Sequence, residues 1–129
     1  MNIIVTGGCG FIGSNAINYL AAKHPDWHII NIDKLDYCAS KSNVTVTENY
    51  TFILGDICDA KLITHTLYTY CIDAVIHFAA QTHVDNSFGN SIQFTKDNVL
   101  GTHTLLECCK EYGKLKRFLH ISTDEVYGE

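Results

Sequence analysis

No stretch of the sequence approaches the roughly 20 consecutive apolar residues that a membrane-spanning helix needs, although 47% of its 129 residues are hydrophobic. Membrane insertion is not expected. Basic residues are scarce as well: 9 Lys and Arg face 14 Asp and Glu, for a net charge of -5. They are scattered apart from Lys114, Lys116 and Arg117, so nucleic acid is not the expected partner. No C-x-x-C spacing occurs among the six cysteines (Cys9, Cys38, Cys58, Cys71, Cys108 and Cys109), and the adjacent last two are badly placed to bridge each other. They are expected as reduced thiols, mostly small buried apolar groups. No H-E-x-x-H and no Cys/His cluster has metal-ligand spacing, so no metal site is expected. Nor does a basic and apolar leader precede the first apolar run, which begins just after Asn2, and a cytoplasmic protein is the expectation. No repeat, low-complexity tract or linker divides the chain, which is long enough for one core and too short for a second sizeable one.

What is present is a regular alternation. Short apolar runs rich in β-branched residues recur at Ile3-Ile4-Val5, Ile29-Ile30-Asn31-Ile32, Phe52-Ile53-Leu54, Ala74-Val75-Ile76 and Phe118-Leu119-His120-Ile121. Their continuous apolar character predicts core strands covered on both faces, as in a parallel sheet flanked by helices. Helical spacing links Ile12, Ala16, Tyr19, Leu20 and Lys23, then Leu62, Ile63, Thr66, Leu67 and Tyr70, and finally Ile92, Val99, Leu106 and Cys109 along a longer helix. Pro25, the sole proline, ends the first helix and Gly113 follows the last. Residues 33–50 are the main irregular region. The prediction is an α/β fold with a doubly wound parallel sheet.

The first run leads straight into Thr6-Gly7-Gly8-Cys9-Gly10-Phe11-Ile12-Gly13, a G-x-x-G-x-x-G loop opening a helix. Such a loop turns tightly at Gly7, lets backbone approach a pyrophosphate near Gly10, and packs helix on strand at Gly13, while the helix N-terminus offers free N–H groups to the phosphates. Asp33 ends the second run some twenty residues on, where a carboxylate accepts both hydroxyls of an adenine ribose and repels a 2′-phosphate. NAD is therefore expected over NADP, although the neighbouring Lys34 would tolerate a phosphate. After the third run, Asp56 and Ile57 stand at the same rim; Asp56 either hydrogen-bonds the adenine amino group or caps the helix that starts near Asp59. Small side chains in Phe78-Ala79-Ala80 permit the nicotinamide-side ribose to lie against backbone. The cofactor-binding candidates are thus Gly7, Gly10, Phe11, Ile12, Gly13, Asp33, Lys34, Asp56, Ile57, Phe78, Ala79 and Ala80, in an NAD-binding Rossmann domain spanning residues 1–129 and truncated after its fifth strand.

The string Phe78-Ala79-Ala80-Gln81-Thr82-His83-Val84-Asp85-Asn86-Ser87, together with Ser122-Thr123-Asp124-Glu125-Val126-Tyr127-Gly128-Glu129, resembles the substrate loop and catalytic segment of extended short-chain dehydrogenase/reductases that act on nucleotide sugars, specifically the 4,6-dehydratases. Gln81-Thr82 is similar to UDP-glucose 4,6-dehydratases of the rhamnose-synthase type, whereas dTDP-glucose enzymes typically carry Glu-Ser there. The resemblance implies oxidation of the sugar at C4 with NAD, loss of water across C5 and C6, and return of the hydride to C6. It assigns Asp124 as proton donor to the C6 oxygen, Glu125 as base at C5, Thr123 as partner of the C4 oxygen, and Thr82 and His83 as substrate contacts. Read without the resemblance, Thr123-Asp124-Glu125 is a polar loop closing a strand, the usual fate of such a tripeptide. His77 and His120, inside apolar runs, are expected as satisfied core residues, and Asn98 is similar to a superfamily Asn with a structural or a catalytic role.

The resemblance also implies a Tyr-x-x-x-Lys pair and a nucleotide-gripping domain, neither found in these residues, and no Tyr here is followed four positions later by Lys. The isolated chain is therefore expected to turn over little or no substrate, and its uncovered last strand and long helix predict a homo-dimer or larger self-association. The alternatives are a non-catalytic NAD-binding module and a fragment of a nucleotide-sugar 4-epimerase or decarboxylase.

Overall fold

The computed structural model describes residues 1–128. The strands and helices follow in the order β1 (Asn2–Thr6), α1 (Phe11–Lys23), β2 (His28–Asp33), β3 (Tyr50–Leu54), α2 (Ala60–Thr69), β4 (Ala74–His77), α3 (Val84–Gly89), α4 (Ser91–Phe94), α5 (Gly101–Tyr112) and β5 (Arg117–His120). All strand pairs are parallel, in the order β3-β2-β1-β4-β5. This is the predicted doubly wound sheet, with the direction of winding reversing between β1 and β4.

The period-2 geometry of β1 explains why one strand serves two cores. Ile3 and Val5 face Ile17 and Ala21 of α1, whereas Ile4 joins Ile63 and Leu67 of α2 and Leu105 of α5. Each fully buried Ile or Leu contributes about 2 kcal/mol through the apolar surface it removes from water. The helix stops follow the expected chemistry. Pro25 lies just beyond the His24 cap of α1, and Gly113 adopts the left-handed conformation (φ 69°) that lets its N–H reach the Cys109 carbonyl and close α5.

Several expectations need correction. Only β1, β2 and β4 are core strands; β3 and β5 form the sheet edges, with Leu54, Leu119 and His120 exposed. His120 is therefore no core residue. The buried stripe of α1 runs through Gly13, Ser14, Ile17 and Ala21, leaving Ile12 and Tyr19 exposed. The expected long helix is interrupted by a π-helical turn, Thr95–Leu100, between α4 and α5, and its Ile92, Val99 and Leu106 face outward while Leu105, Cys108, Cys109 and Tyr112 enter the core. Spacing alone identified a helical face without revealing which side of the helix the sheet would cover. All six cysteines are free, yet only Cys9, Cys108 and Cys109 are buried, and Cys38 and Cys71 are exposed. Among the described residues no helix is long and apolar enough to cross a membrane.

His77 is a satisfied core residue, as expected, and it ties the sheet to α5. At the end of β4 it is 1% exposed, with Nδ1 2.6 Å from Thr6 Oγ1 and Nε2 2.8 Å from Thr102 Oγ1. Thr102 Oγ1 donates to the Asn98 carbonyl, which makes Nε2 the donor to Thr102; in a neutral ring Nδ1 then accepts from Thr6, whose oxygen accepts the Ala79 N–H. That chain accommodates a neutral imidazole. Burial, followed by the charge of His120, lowers the His77 pKa from 6.5 to about 4.

In the unfolded chain His77 takes up a proton as the pH falls through 6.5, whereas the folded chain resists until about 4. The stability associated with the neutral ring is thus complete above pH 6.5 and is lost progressively towards pH 4, by about 3 kcal/mol. Urea denaturation between these limits should show the midpoint falling steeply in the natural chain and less steeply in His77→Gln. Parallel curves for the two proteins would contradict the assignment.

Candidate active site

The loops leaving β1 and β4 diverge at the reversal point and open a cleft of about 440 Å³ at the carboxyl ends of the strands. Every cofactor candidate named from the sequence lines it, as do Thr82, His83 and Thr123. The glycine loop, the ends of β2 and β3, and the segments after β4 and β5 therefore converge on one space.

The loop is anchored by β2. Asn31, fully buried in the middle of an apolar strand, accepts the Gly8 N–H on Oδ1 (3.0 Å) and donates from Nδ2 to Tyr50 Oη and Cys9 Sγ. Asp33 accepts the Cys9 N–H on Oδ2 (2.9 Å) and the Leu35 N–H on Oδ1 (2.8 Å). The Asp33 carboxylate thus shapes the loop, and the further lone pairs on its two oxygens remain for a diol. Gly7 is required twice over: its φ of 69° is left-handed, and a Cβ there would stand 2.7 Å from Ala79 backbone atoms. Gly10 is different. A Cβ on it would meet only the Gly7 carbonyl oxygen, at 3.4 Å, so the protein's own packing leaves this position open. Beside it begins α1, which has no side-chain cap and no acidic residue in its first turn. A bare helix N-terminus facing vacant space, with a carboxylate across the cleft, fits a dinucleotide's pyrophosphate and ribose.

The rim after β2 and β4 holds a polar cluster that the motifs did not reveal. Asp97, in the π-helical turn and 7% exposed, receives Lys34 Nζ at 2.6 Å, Gln81 Nε2 at 2.7 Å and Gln93 Nε2 at 2.9 Å. Burial alone would raise its pKa, but these donors outweigh it and hold the carboxyl below its ordinary value. Gln81 also donates to Asp36 Oδ2 at 2.6 Å, so one Nε2 hydrogen is engaged by the π-helical turn and the other by the segment after β2. Asn98 grips the Gln81 backbone, accepting its N–H on Oδ1 (2.7 Å) and donating Nδ2 to its carbonyl (3.3 Å). That gives Asn98 a structural role. The helix-cap alternative for Asp56 falls to Asp59, which accepts the Leu62 N–H, while Asp56 accepts the Cys58 N–H.

Thr123 lines the cleft, but Asp124 and Glu125 lie beyond it on a 3-10 turn (Asp124–Tyr127), both exposed. The cleft brings together the cofactor candidates and does not bring the acidic pair with them. His83 is exposed and meets the Tyr37 ring at a tilt, 5.8 Å between ring centroids.

Comparison with known proteins supplies the wider context. A trifunctional UDP-glucose 4,6-dehydratase, 3,5-epimerase and reductase of Arabidopsis thaliana is 54% identical over 99% of the chain. The dTDP-D-glucose 4,6-dehydratase of Homo sapiens is 50% identical over 98% of the chain. The chain spans 20% and 37% of their respective lengths. Among solved structures, the dTDP-glucose 4,6-dehydratase DesIV of Streptomyces venezuelae, with NAD bound, superposes with a TM-score of 0.89 at 43% identity, over all of this chain and 41% of that one. A UDP-glucose 4-epimerase of Thermotoga maritima gives 0.85 at 32% identity, over 95% of this chain and 38% of that one. The profile of the GDP-mannose 4,6 dehydratase family matches residues 4–129. With that match running from the first strand through the segment after the last, the chain belongs to the GDP-mannose 4,6 dehydratase family.

Proposed function

We propose that residues 1–129 are the NAD-binding part of a nucleotide-sugar 4,6-dehydratase acting on UDP-glucose. The observation that carries this reading is the open space at Gly10, bounded by the uncapped start of α1 and faced by Asp33. The DesIV structure holds NAD; in this chain the α1 amides would hold the pyrophosphate, Asp33 the adenine ribose, Asp56 the adenine amino group, and Ala79 and Ala80 would lie against the nicotinamide-side ribose. UDP-glucose is favoured by Gln81-Thr82 and by the Arabidopsis relative, whose name includes that substrate.

When bound, the nicotinamide supplies a reversible store for a hydride from the sugar. The chain's own residues position the sugar and move protons. Thr123 would hydrogen-bond the C4 oxygen and Thr82 and His83 would contact the substrate from the β4 side. Glu125 would remove the C5 proton, and Asp124 would protonate the departing C6 oxygen, so that one water leaves as the C5–C6 double bond forms. Their exposed positions on the 3-10 turn require the substrate or the rest of the protein to enclose them. No Tyr here is followed four residues later by Lys, so the pair that the family resemblance implies for taking the C4 hydroxyl proton is not among these residues, and a non-catalytic NAD-binding module is the second reading.

Titration calorimetry should show NAD binding to the chain, and Gly10→Val should raise the dissociation constant at least about tenfold in a protein that still unfolds cooperatively. Equal affinities for the two proteins would refute the pyrophosphate assignment. Incubation with UDP-glucose and NAD should yield no more 4-keto-6-deoxy sugar than a blank; robust product would overturn the expected inactivity of the isolated chain. Exposed Ile92, Val99 and Leu106, together with Leu119 on the β5 edge, should drive self-association, and a strictly monomeric mass by light scattering would count against it.

A further inference from the structure

Selection between NAD and NADP is usually referred to the acid at the end of the second strand, here Asp33. In this chain Lys34 follows it directly, and an ammonium beside that rim is a natural partner for a 2′-phosphate. Lys34 is the only Lys or Arg among the described residues lining the cleft. Its Nζ, however, is held 2.6 Å from Asp97 Oδ1 and 3.8 Å from Asp36 Oδ2. Building on the proposed NAD site, we infer that Asp97 is a specificity-determining residue: by clamping Lys34 it withholds the one cation that would welcome a 2′-phosphate, and so selects NAD against NADP.

The clamp is fixed from several directions. Asp97 is buried in the π-helical turn, and both its oxygens are occupied, Oδ1 by Lys34 and Gln93 and Oδ2 by Gln81. Gln81 cannot drift, because neighbouring Asn98 grips its backbone at N–H and carbonyl. Lys34 is thereby drawn towards the π-helical turn. The charge balance points the same way: Asp33, Asp36, Asp56 and Asp97 line the cleft against Lys34 alone, four carboxylates against one ammonium. A dianionic 2′-phosphate would enter a negative field whose one positive group is already paired. Burial opposes the charge on Lys34, but Asp97 first, then Asp56 and Asp36, more than compensate and raise its pKa, so the lysine stays protonated and committed.

The test is a pair of dissociation constants, for NAD and for NADP, measured by titration calorimetry on the 129-residue chain and its variants. In Asp97→Asn the side chain keeps its size and loses its charge, so the ion pair at 2.6 Å is lost and Lys34 keeps only the longer contact with Asp36. The NADP affinity relative to NAD should rise about tenfold, roughly one charge-assisted contact, and the gain should vanish in the Asp97→Asn/Lys34→Ala double variant. An equal loss of both affinities in Asp97→Asn would mean that Asp97 only supports the Gln81 segment, and a gain that survives removal of Lys34 would mean that the clamp is irrelevant; either outcome overturns the inference. Lys34→Ala alone leaves the buried carboxylate in place and tests the claim should Asp97→Asn fold poorly. A clamped lysine predicts an unchanged NADP-to-NAD ratio, whereas a selective drop in NADP affinity shows that Lys34 was already free to contact the phosphate. If the natural chain binds neither dinucleotide, the NAD site itself fails and the inference falls with it; binding of NAD with the wrong variant pattern rejects Asp97 alone.

Discussion

Two backbone amides hold the site together. The N–H groups of Gly8 and Cys9 are bound by Asn31 and Asp33, side chains of the adjacent strand, so the loop after β1 is set by β2. Without those bonds, buried donors would be left unsatisfied and the loop would lose its defined path. With them, Gly7 can turn under Ala79, α1 starts at the right place, and its first amides face the cleft. Asp33 thereby belongs to both the scaffold and the binding surface. Its substitution would disturb loop and ribose contact together, which makes the open position of Gly10 the cleaner probe of binding.

A second ring of constraints closes the opposite wall. His77 bridges Thr6 and Thr102, Thr102 donates to Asn98, and Asn98 fixes Gln81. Each bond is short and largely sheltered from water, so the exits of β1 and β4 and the π-helical turn are registered against one another. π turns recur at functional sites, and here the widened turn directs neighbouring Asp97 and Asn98 onto one glutamine, one by its side chain and the other by its backbone. The wall and the loop therefore meet in a shared hydrogen-bonded frame.

Much of this was legible in the sequence, and the failures have a common cause. Strand and helix alternation, the glycine loop and the stops at Pro25 and Gly113 are local features, and the β2-end position of Asp33 follows from them. Their convergence in one cleft rests on the sheet order, which the βαβ rule supplies. Which face of α1 or α5 would be covered was not legible, because Ile12 and Val99 are as apolar as Ile17 and Leu105 and differ only in where the sheet lies. Edge exposure of β5 was hidden for the same reason. Asp97 carries no motif, and its role arises from contacts 63 and 16 residues away in sequence. Asn31 did leave a trace, since a polar residue inside an apolar strand must find buried partners.

The central place of β1 has a consequence for how the chain acquires its shape during synthesis. β1 must wait for β4, since Thr6 meets His77 across 71 residues, and until β4 emerges from the ribosome one lateral edge of β1 is bare. The glycine loop likewise has no Ala79 above it in that interval. A nascent chain halted before β4 would carry three of the five strands with one flank of β1 unpaired, the kind of exposed edge that invites association with other chains.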